Sequence, residues 1–479
     1  MQRVLTVKEM QNADAYTINT LCIPQEELVL RAGSAVADVI LKKFKGGRVL
    51  VCIGVGNNGK DGQVVADILS KKHGFYVATI NVNNGIFKIF DKQFDIIVDC
   101  IFGTGLNREV SGKYATAIQK INSSGAFVVS CDIPSGLNGD TGIPMGIAVK
   151  ANLTVAIGDL KLGHILGDGP DYSGKVVLKD VGISVWEESS RYVLGDKDAS
   201  AFFPKRKKNT NKGSYGKSAI IGGSKSFPGS VILSLSALTS LKAGAGYSAL
   251  AVPQSIYGVV AGNVPECTIK ELSTNGDGAI FIEEEYAELL EKDAVAIGMG
   301  MGANQETFNA VKYLLENYTG KLLIDADGLN ALSKFGVEVL KNKKCEVVLT
   351  PHVQEFSRLI GVEKTQILLD QITYAKNFAK EYGVVVLLKN ATSIITDGER
   401  VILNVTGSPS MAKGGSGDVL SGFICGLLAR SLDVFGASSV GAYVFGKAGE
   451  LATKDSNEYS VVATDIIKKL PSAINDLNK

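Results

Sequence analysis

Met411-Ala-Lys-Gly-Gly-Ser-Gly-Asp418, followed at once by the apolar run Val419-Leu-Ser-Gly-Phe-Ile-Cys-Gly-Leu-Leu428, decides how this chain is read. Glycines and a serine at the mouth of a helix leave consecutive backbone N–H groups exposed. Together with the helix dipole these groups form a cradle for phosphate or another oxyanion. Asp418 then sits inside an anion site, where a carboxylate is electrostatically awkward. A general base that takes a proton from a hydroxyl attacking a phosphoryl group fits that position. The plainer reading is a tightly packed helix start, but helix entry needs one good cap rather than this density of glycine.

Outward from this stretch, short β-branched runs alternate with helical patterns. Segments 48–53, 76–82, 95–102, 127–132 and 153–157 read as buried strands, with helices expected over 63–72 and 112–122. Segments 218–222, 294–298, 322–325, 347–350 and 384–389 read as strands in the same way. The alternation predicts an α/β chain of mostly parallel sheets covered by helices, with ligands beyond the carboxyl ends of the strands. The pattern breaks near 190–205, where a polar stretch precedes the basic run Phe203-Pro-Lys-Arg-Lys-Lys-Asn-Thr-Asn-Lys212, read as a solvated connection or, alternatively, as phosphate contacts at the edge of the second site. Two domains are expected, 1–195 and 205–479.

The 479 residues, 45% of them hydrophobic, suffice for full cores, and the net charge of +1 gives no ground for nucleic acid or an acidic membrane surface as partner. Seven scattered cysteines without a CxxC argue against a disulfide framework or zinc site. The N-terminal residues lack a signal-peptide core, and no apolar run approaches the roughly 20 residues that span a bilayer. A cytoplasmic protein with small-molecule substrates, no nucleic-acid or membrane partner, and a homo-oligomeric state is expected.

Three strand ends converge on the opening motif: Ile324-Asp-Ala-Asp-Gly-Leu-Asn330, Thr350-Pro-His-Val-Gln-Glu-Phe356 and Lys389-Asn-Ala-Thr-Ser393. Each alone is explained by a helix cap or an ordinary strand terminus. Their recurrence at successive strand ends is what a nucleotide-dependent phosphoryl-transfer site requires. With Lys212-Gly-Ser-Tyr-Gly-Lys217, Gly222-Gly-Ser224, Lys242-Ala-Gly-Ala-Gly246 and Gly298-Met-Gly-Met-Gly302, the set resembles the ADP/ATP-dependent NAD(P)H-hydrate dehydratases over roughly 205–475. The resemblance implies a ribokinase-like α/β/α fold and a reaction in which the ring hydroxyl of hydrated NADH or NADPH is phosphorylated. The ring nitrogen then expels the phosphate, regenerating the coenzyme. It makes Asp418 the catalytic base and implies hydrate contacts at Ser230, Gly302, His352, Glu355, Arg358 and Asp418. Nucleotide contacts are implied at Lys389, Asn390, Ala391, Thr392 and Ser393, and at Ser408, Pro409, Ser410, Met411, Ala412, Lys413, Gly414, Gly415, Ser416 and Gly417. ADP or ATP is the implied phosphoryl donor, with Mg²⁺, and ADP is preferred. Asn390 stands where the family motif has glycine, Asn211 begins the motif usually opened by histidine, and Gly229-Ser230 replaces a Gly-Ala pair.

In the first half, Gly54-Val-Gly-Asn-Asn-Gly-Lys-Asp-Gly62 follows a strand and opens a helix, and Asp99-Cys-Ile-Phe-Gly-Thr-Gly-Leu106 and Asp132-Ile-Pro-Ser-Gly-Leu137 mark two more strand ends. Asn58, Asp99 and Ser135 offer hard oxygen ligands to a cation; alternatively the acids cap helices or brace loops. The set resembles the NAD(P)H-hydrate epimerases, Rossmann-like proteins that interconvert the R and S hydrates, over about 1–190. That resemblance implies potassium at Asn58, Asp99 and Ser135. It implies hydrate contacts at Asn57, Asn58, Gly59, Lys60, Asp61, Gly103, Thr104, Gly105, Leu106, Asn107, Arg108, Glu109 and Asp132, with Asp132 the first candidate for acid or base. Lys60 replaces the usual glycine of the family's NNGGD loop, where it would either grip a substrate phosphate or weaken the epimerase, and Arg31 replaces an asparagine. Two competing readings are a small-molecule kinase fused to a nucleotide-metabolite-binding domain and a first half reduced to a scaffold.

Overall fold

The computed structural model describes residues 1–477 apart from 86, 187–188, 237–238, 276–277 and 281–283. The chain folds as two compact units, Gln2–Arg191 and Tyr192–Lys479, with Met1 grouped with the second.

In the first unit, strands β1 (Gly47–Ile53), β2 (Phe75–Asn81), β3 (Ile96–Cys100), β4 (Phe127–Cys131), β5 (Leu153–Ile157) and β6 (Lys175–Lys179) form a parallel sheet in the order β2-β1-β3-β4-β5-β6. Both faces of β1 are buried. Val49 and Val51 join the core with Ile40 and Val65, while Leu50 and Cys52 join Ile97 and Ile118 on the other side. That explains the unbroken apolar run, since a strand covered on both faces has no polar side to alternate with. The order reverses between β1 and β3, which opens a crevice at their carboxyl ends. The helix expected over 63–72 begins earlier, at Asn57, and ends at Ser70. Its polar first turn conceals the periodicity, so Asn57 to Asp61 are helical residues rather than a loop.

The second unit carries β7 (Lys217–Ile221), β8 (Tyr247–Pro253), β9 (Thr268–Leu272), β10 (Ala294–Ile297), β11 (Lys321–Ile324), β12 (Glu346–Leu349) and β13 (Val385–Leu388), followed by β14 (Ser393–Thr396) and β15 (Val401–Asn404). Their order is β9-β8-β7-β10-β11-β12-β13-β14-β15, parallel through β13 and antiparallel thereafter. β8 escaped the sequence reading because Ser248, Ala249 and Ala251 have weak strand propensity. The helix Ser416–Ala429 is buried from Val419 through Ala429. It packs beneath β7 and β10 and against the helices Pro228–Ser236 and Val434–Asp455. A helix buried on every side cannot show an amphipathic stripe, and its small residues let neighbouring elements approach closely.

Candidate active sites in the two units

The strand order of the second unit reverses between β7 and β10. Gly222-Gly223 and Met299–Gly302 face each other there, the Gly223 amide donating to the Met299 carbonyl at 2.8 Å. Gly298 has φ +121, and a Cβ on it would lie 2.0 Å from the Asp325 carbonyl oxygen, so no larger residue fits. Beside this crevice the opening motif enters its helix through Gly415, left-handed at φ +88. Asp418 therefore lies in the first turn, where N–H groups have no intrahelical partner.

Asp325, at the end of β11 and 1% exposed, organises the charges. Its Oδ1 accepts from Lys389 Nζ at 2.9 Å and its Oδ2 from the Ser421 hydroxyl at 2.6 Å. A Cβ built on Gly417 would lie 3.4 Å from Lys389 Nζ and 3.9 Å from Asp325 Oδ2, so the helix mouth rests on this ion pair. Burial and the nearby Asp325 charge lift the Asp418 carboxyl from 3.8 to about 7, against the opposing pull of Lys389 and a hydrogen bond from Ser230. A carboxyl poised there can take and return a proton at neutral pH. Across the site, Asp327 Oδ2 accepts from the Gly302 amide at 2.8 Å. His352 caps the helix Val353–Ile360, its Nδ1 accepting from the Gln354 and Glu355 amides at 3.1 Å, while Glu355 accepts from the His352 amide at 2.8 Å. Burial raises Glu355 to about 7 and, with Lys389, lowers His352.

In the first unit a cleft of about 530 Å³ lies at the carboxyl ends of β1 and β3, lined by Asn57, Asn58, Asp61, 101–108, Asp132 and Lys161 among others. Glycine is obligatory beneath it: a Cβ on Gly54 would come within 1.9 Å of the Ile101 carbonyl oxygen, and one on Gly59 within 2.1 Å of that of Gly54. Asp99, fully buried, accepts from Ser130 Oγ at 2.8 Å, from Ser135 Oγ at 2.5 Å and from the Ser135 amide at 2.8 Å. Asn58 Nδ2 donates to the Phe102 carbonyl at 2.8 Å, while the buried Asn58 Oδ1 has no partner among the described residues.

The sequence comparisons agree with this geometry. Residues 218–472, more than half the chain, match the family model described as NAD(P)H-hydrate dehydratase, and 25–88 and 81–163 match the YjeF-related protein N-terminus. A curated relative from Thermofilum pendens, named bifunctional NAD(P)H-hydrate repair enzyme, is 33% identical, and the alignment spans 100% of this chain and 97% of the relative. The chain belongs to this family of bifunctional NAD(P)H-hydrate repair enzymes. Among solved structures, an ADP/ATP-dependent NAD(P)H-hydrate dehydratase from Bacillus subtilis, co-crystallised with ATP/Mg²⁺, is 26% identical with a TM-score of 0.52, over 60% of this chain and 98% of that one. A ribokinase-like superfamily protein from Enterococcus faecalis shares the fold at 22% identity and TM-score 0.52, over 61% and 99%.

Within this repair-enzyme framework the expected residues sort unevenly. Asp418, Ser230 and Lys389 meet, and His352 and Lys389 are bridged in parallel by their backbones. Arg358 instead donates to Asn330 Oδ1 at 3.1 Å. Several expected nucleotide contacts use their side chains internally: Ser410 bonds Thr453 at 2.7 Å, Asn390 bonds Gln371 at 3.0 Å, and Lys413 reaches the Tyr459 carbonyl. In the first unit Lys60 is exposed, and neither it nor Gly59 or Glu109 lines the cleft. Arg31 pairs with Glu27 at 2.9 Å. Sequence reasoning missed Asp325 as the organiser of the second site, and Asp14 and Lys161 as cleft residues. The acid in Ile324-Asp325 and the lone cation in the apolar stretch 153–166 were the available signals.

Proposed function

We propose that this chain repairs hydrated nicotinamide coenzymes, the first unit interconverting the R and S hydrates and the second dehydrating the S form at the expense of ADP. The observation that carries the reading is Asp418, a carboxyl lifted to about 7 at a glycine-rich helix mouth and faced by the Asp325–Lys389 pair. Asp418 takes the proton of the ring hydroxyl as that oxygen attacks the terminal phosphoryl group. The amides around Gly414 to Gly417 hold the transferring group, each well-placed donor worth about 3 kcal/mol. Phosphate then departs as the ring nitrogen lone pair forms the C=N bond, and loss of a ring proton restores the dihydronicotinamide.

No cluster of three or more His, Cys, Asp or Glu among the described residues is arranged to hold a metal by itself. Mg²⁺ accordingly fits as a companion of the nucleotide phosphates, whose charge it would neutralise. In the first unit the orphaned Asn58 Oδ1, the buried Asp99 carboxylate and Ser135 Oγ suit a potassium ion, which would compensate the buried charge.

The test is restoration of dihydronicotinamide absorbance from mixed R and S NADH hydrate with Mg²⁺, K⁺ and ADP or ATP. Recovery of both isomers with ADP is expected. No recovery with either nucleotide refutes the dehydratase reading, and recovery limited to the S fraction, after correction for spontaneous epimerisation, refutes the epimerase reading. Accumulation of a stable phosphorylated product would instead mark a kinase.

A further inference from the structure

Epimerisation at a hydroxyl-bearing carbon beside a ring nitrogen can proceed by departure of the hydroxyl and return of a water on the other face. That chemistry needs a group able to carry a proton at neutral pH and a fixed anion facing the transient cationic ring. The cleft of the first unit contains both, on different residues.

Asp132, just after β4, holds a left-handed backbone at φ +64, uncommon outside glycine but more readily adopted by aspartate than by most residues. The groups that hold its side chain are visible. Lys161, 1% exposed, directs its ammonium to Asp132 Oδ1 and to the Ile157 carbonyl at 2.6 Å, and the Ile157 amide donates to the same Oδ1 at 3.1 Å. His164 completes the brace. Its Nδ1 accepts from the Lys161 amide at 3.0 Å, so the proton sits on Nε2, which donates to the Asp132 carbonyl at 2.7 Å. Burial and the neighbouring Lys161 hold His164 neutral, at about 4, which preserves that tautomer. Two donors on one oxygen, one of them the Lys161 ammonium, fix the orientation of the Asp132 carboxyl in the cleft.

Asp61, in the second turn of the helix Asn57–Ser70, lines the same cleft without such donors. Among the described residues its carboxyl meets only the Cys131 thiol, at 4.0 Å. Burial raises it to about 7, with Asp132 and Asp14 adding to the effect and Lys60 opposing it. Cys100 and Cys131 border it from β3 and β4, Asp14 from the helix Val7–Asn19, and Lys161 and the exposed Arg108 lie elsewhere on the cleft wall. The helix Gln25–Lys43, packed against its own, brings Gly33 to its backbone: a Cβ there would lie 2.7 Å from the Asp61 carbonyl oxygen.

We propose that Asp61 exchanges the proton with the hydrate's ring hydroxyl, while Asp132, fixed by the positioning residue Lys161, is the acidic side chain facing the cationic ring. The assignment rests on the epimerase reading above and divides its acid–base and electrostatic roles. Protonated Asp61 donates to the hydroxyl oxygen, the C–O bond breaks with its electrons on that oxygen, and the ring nitrogen lone pair forms C=N as water departs. A water adds to the opposite face, the C=N electrons return to nitrogen, and the proton lost passes to the Asp61 carboxylate through the released water.

The experiment follows R-to-S conversion of purified R NADH hydrate by chromatography, using the full chain without nucleotide so that the second unit is idle, from pH 5.5 to 9. After subtraction of the spontaneous rate, the wild-type rate is expected to fall above about pH 7, as Asp61 loses its proton. Asp61→Asn should lower the rate about 100-fold or more and erase that limb. Asp132→Asn should slow the reaction while moving the limb to lower pH, because a like charge near Asp61 is gone. Lys161→Met should move it to higher pH, a displacement that a merely structural role would not produce. Fluorescence of Trp186, the sole tryptophan, reports folding of the first unit in each variant. A natively folded Asp61→Asn with wild-type rate and profile overturns the assignment alone. So does an Asp132→Asn that loses the limb while Asp61→Asn keeps it. A wild-type chain that does not interconvert the hydrates overturns the epimerase reading and this assignment with it.

Discussion

Replacing Asp418 by asparagine should abolish dehydration and at the same time stabilise the second unit at alkaline pH. Burial beside Asp325 lifts the Asp418 carboxyl from 3.8 to about 7. Its contribution to stability is thus fully present below the unfolded value, near 3.8, and is lost as pH rises through about 7. At about 1.36 kcal/mol per pH unit, that displacement puts a ceiling of about 4 kcal/mol on the loss. Partial solvent access to the group reduces that to about 2 kcal/mol. The asparagine side chain carries no charge and escapes the cost. Thermal melting of the full chain, followed through the transition of the second unit, should show the variant gaining roughly 4–8 °C at pH 8 and much less at pH 5. In parallel, ADP-dependent recovery of NADH from S hydrate should vanish while nucleotide binding, measured by calorimetry, stays within a few-fold. A variant that melts alike at both pH values, or one that still dehydrates the hydrate, would refute the reasoning.

Lys389→Met should destabilise the second unit by about 3–5 kcal/mol, because Asp325 is left as a buried charge without its cation; denaturant titration checks this, and the double variant with Asp325→Asn should recover much of the loss. Gly59→Ala should lower epimerase activity strongly while sparing dehydration of S hydrate, since a Cβ would strike the Gly54 carbonyl oxygen at 2.1 Å; separate assays on R and S hydrate resolve the two. Lys60→Gly should change the epimerase barrier by no more than about 0.5 kcal/mol, as expected of an exposed side chain off the cleft wall; steady-state rates on R hydrate decide it. Exchanging K⁺ for a bulky organic cation should depress epimerisation and leave Asn58→Ala, already slow, insensitive to the exchange.

Much of both sites was legible because their chemistry depends on local strings. The glycine-rich helix mouth ending in Asp418 needs only consecutive residues, and Gly54 and Gly59 are dictated by backbone approach within one strand–helix turn. The buried strands β1, β3 and β11 announced themselves as apolar runs, since a strand covered on both faces cannot alternate. Where side-chain character was weak the reading failed: Ala- and Ser-rich β8 passed unseen, and the polar first turn of the Asn57–Ser70 helix passed for a loop.

The sequence by itself determined the α/β class and the reversal-point motifs, and it singled out Asp418 as the residue we propose for the proton transfer of dehydration. Only the tertiary structure decided which charges face one another. Asp325 and Lys389 are 64 positions apart, and Asp132 and Lys161 are 29 apart, yet each pair shares a partly buried hydrogen bond. Lys60, adjacent to Asp61 in the chain, is exposed and does not line the cleft. The reason is physical: a carboxyl's proton affinity depends on burial and on the charges around it, and both are set by packing between distant segments rather than by neighbours in sequence.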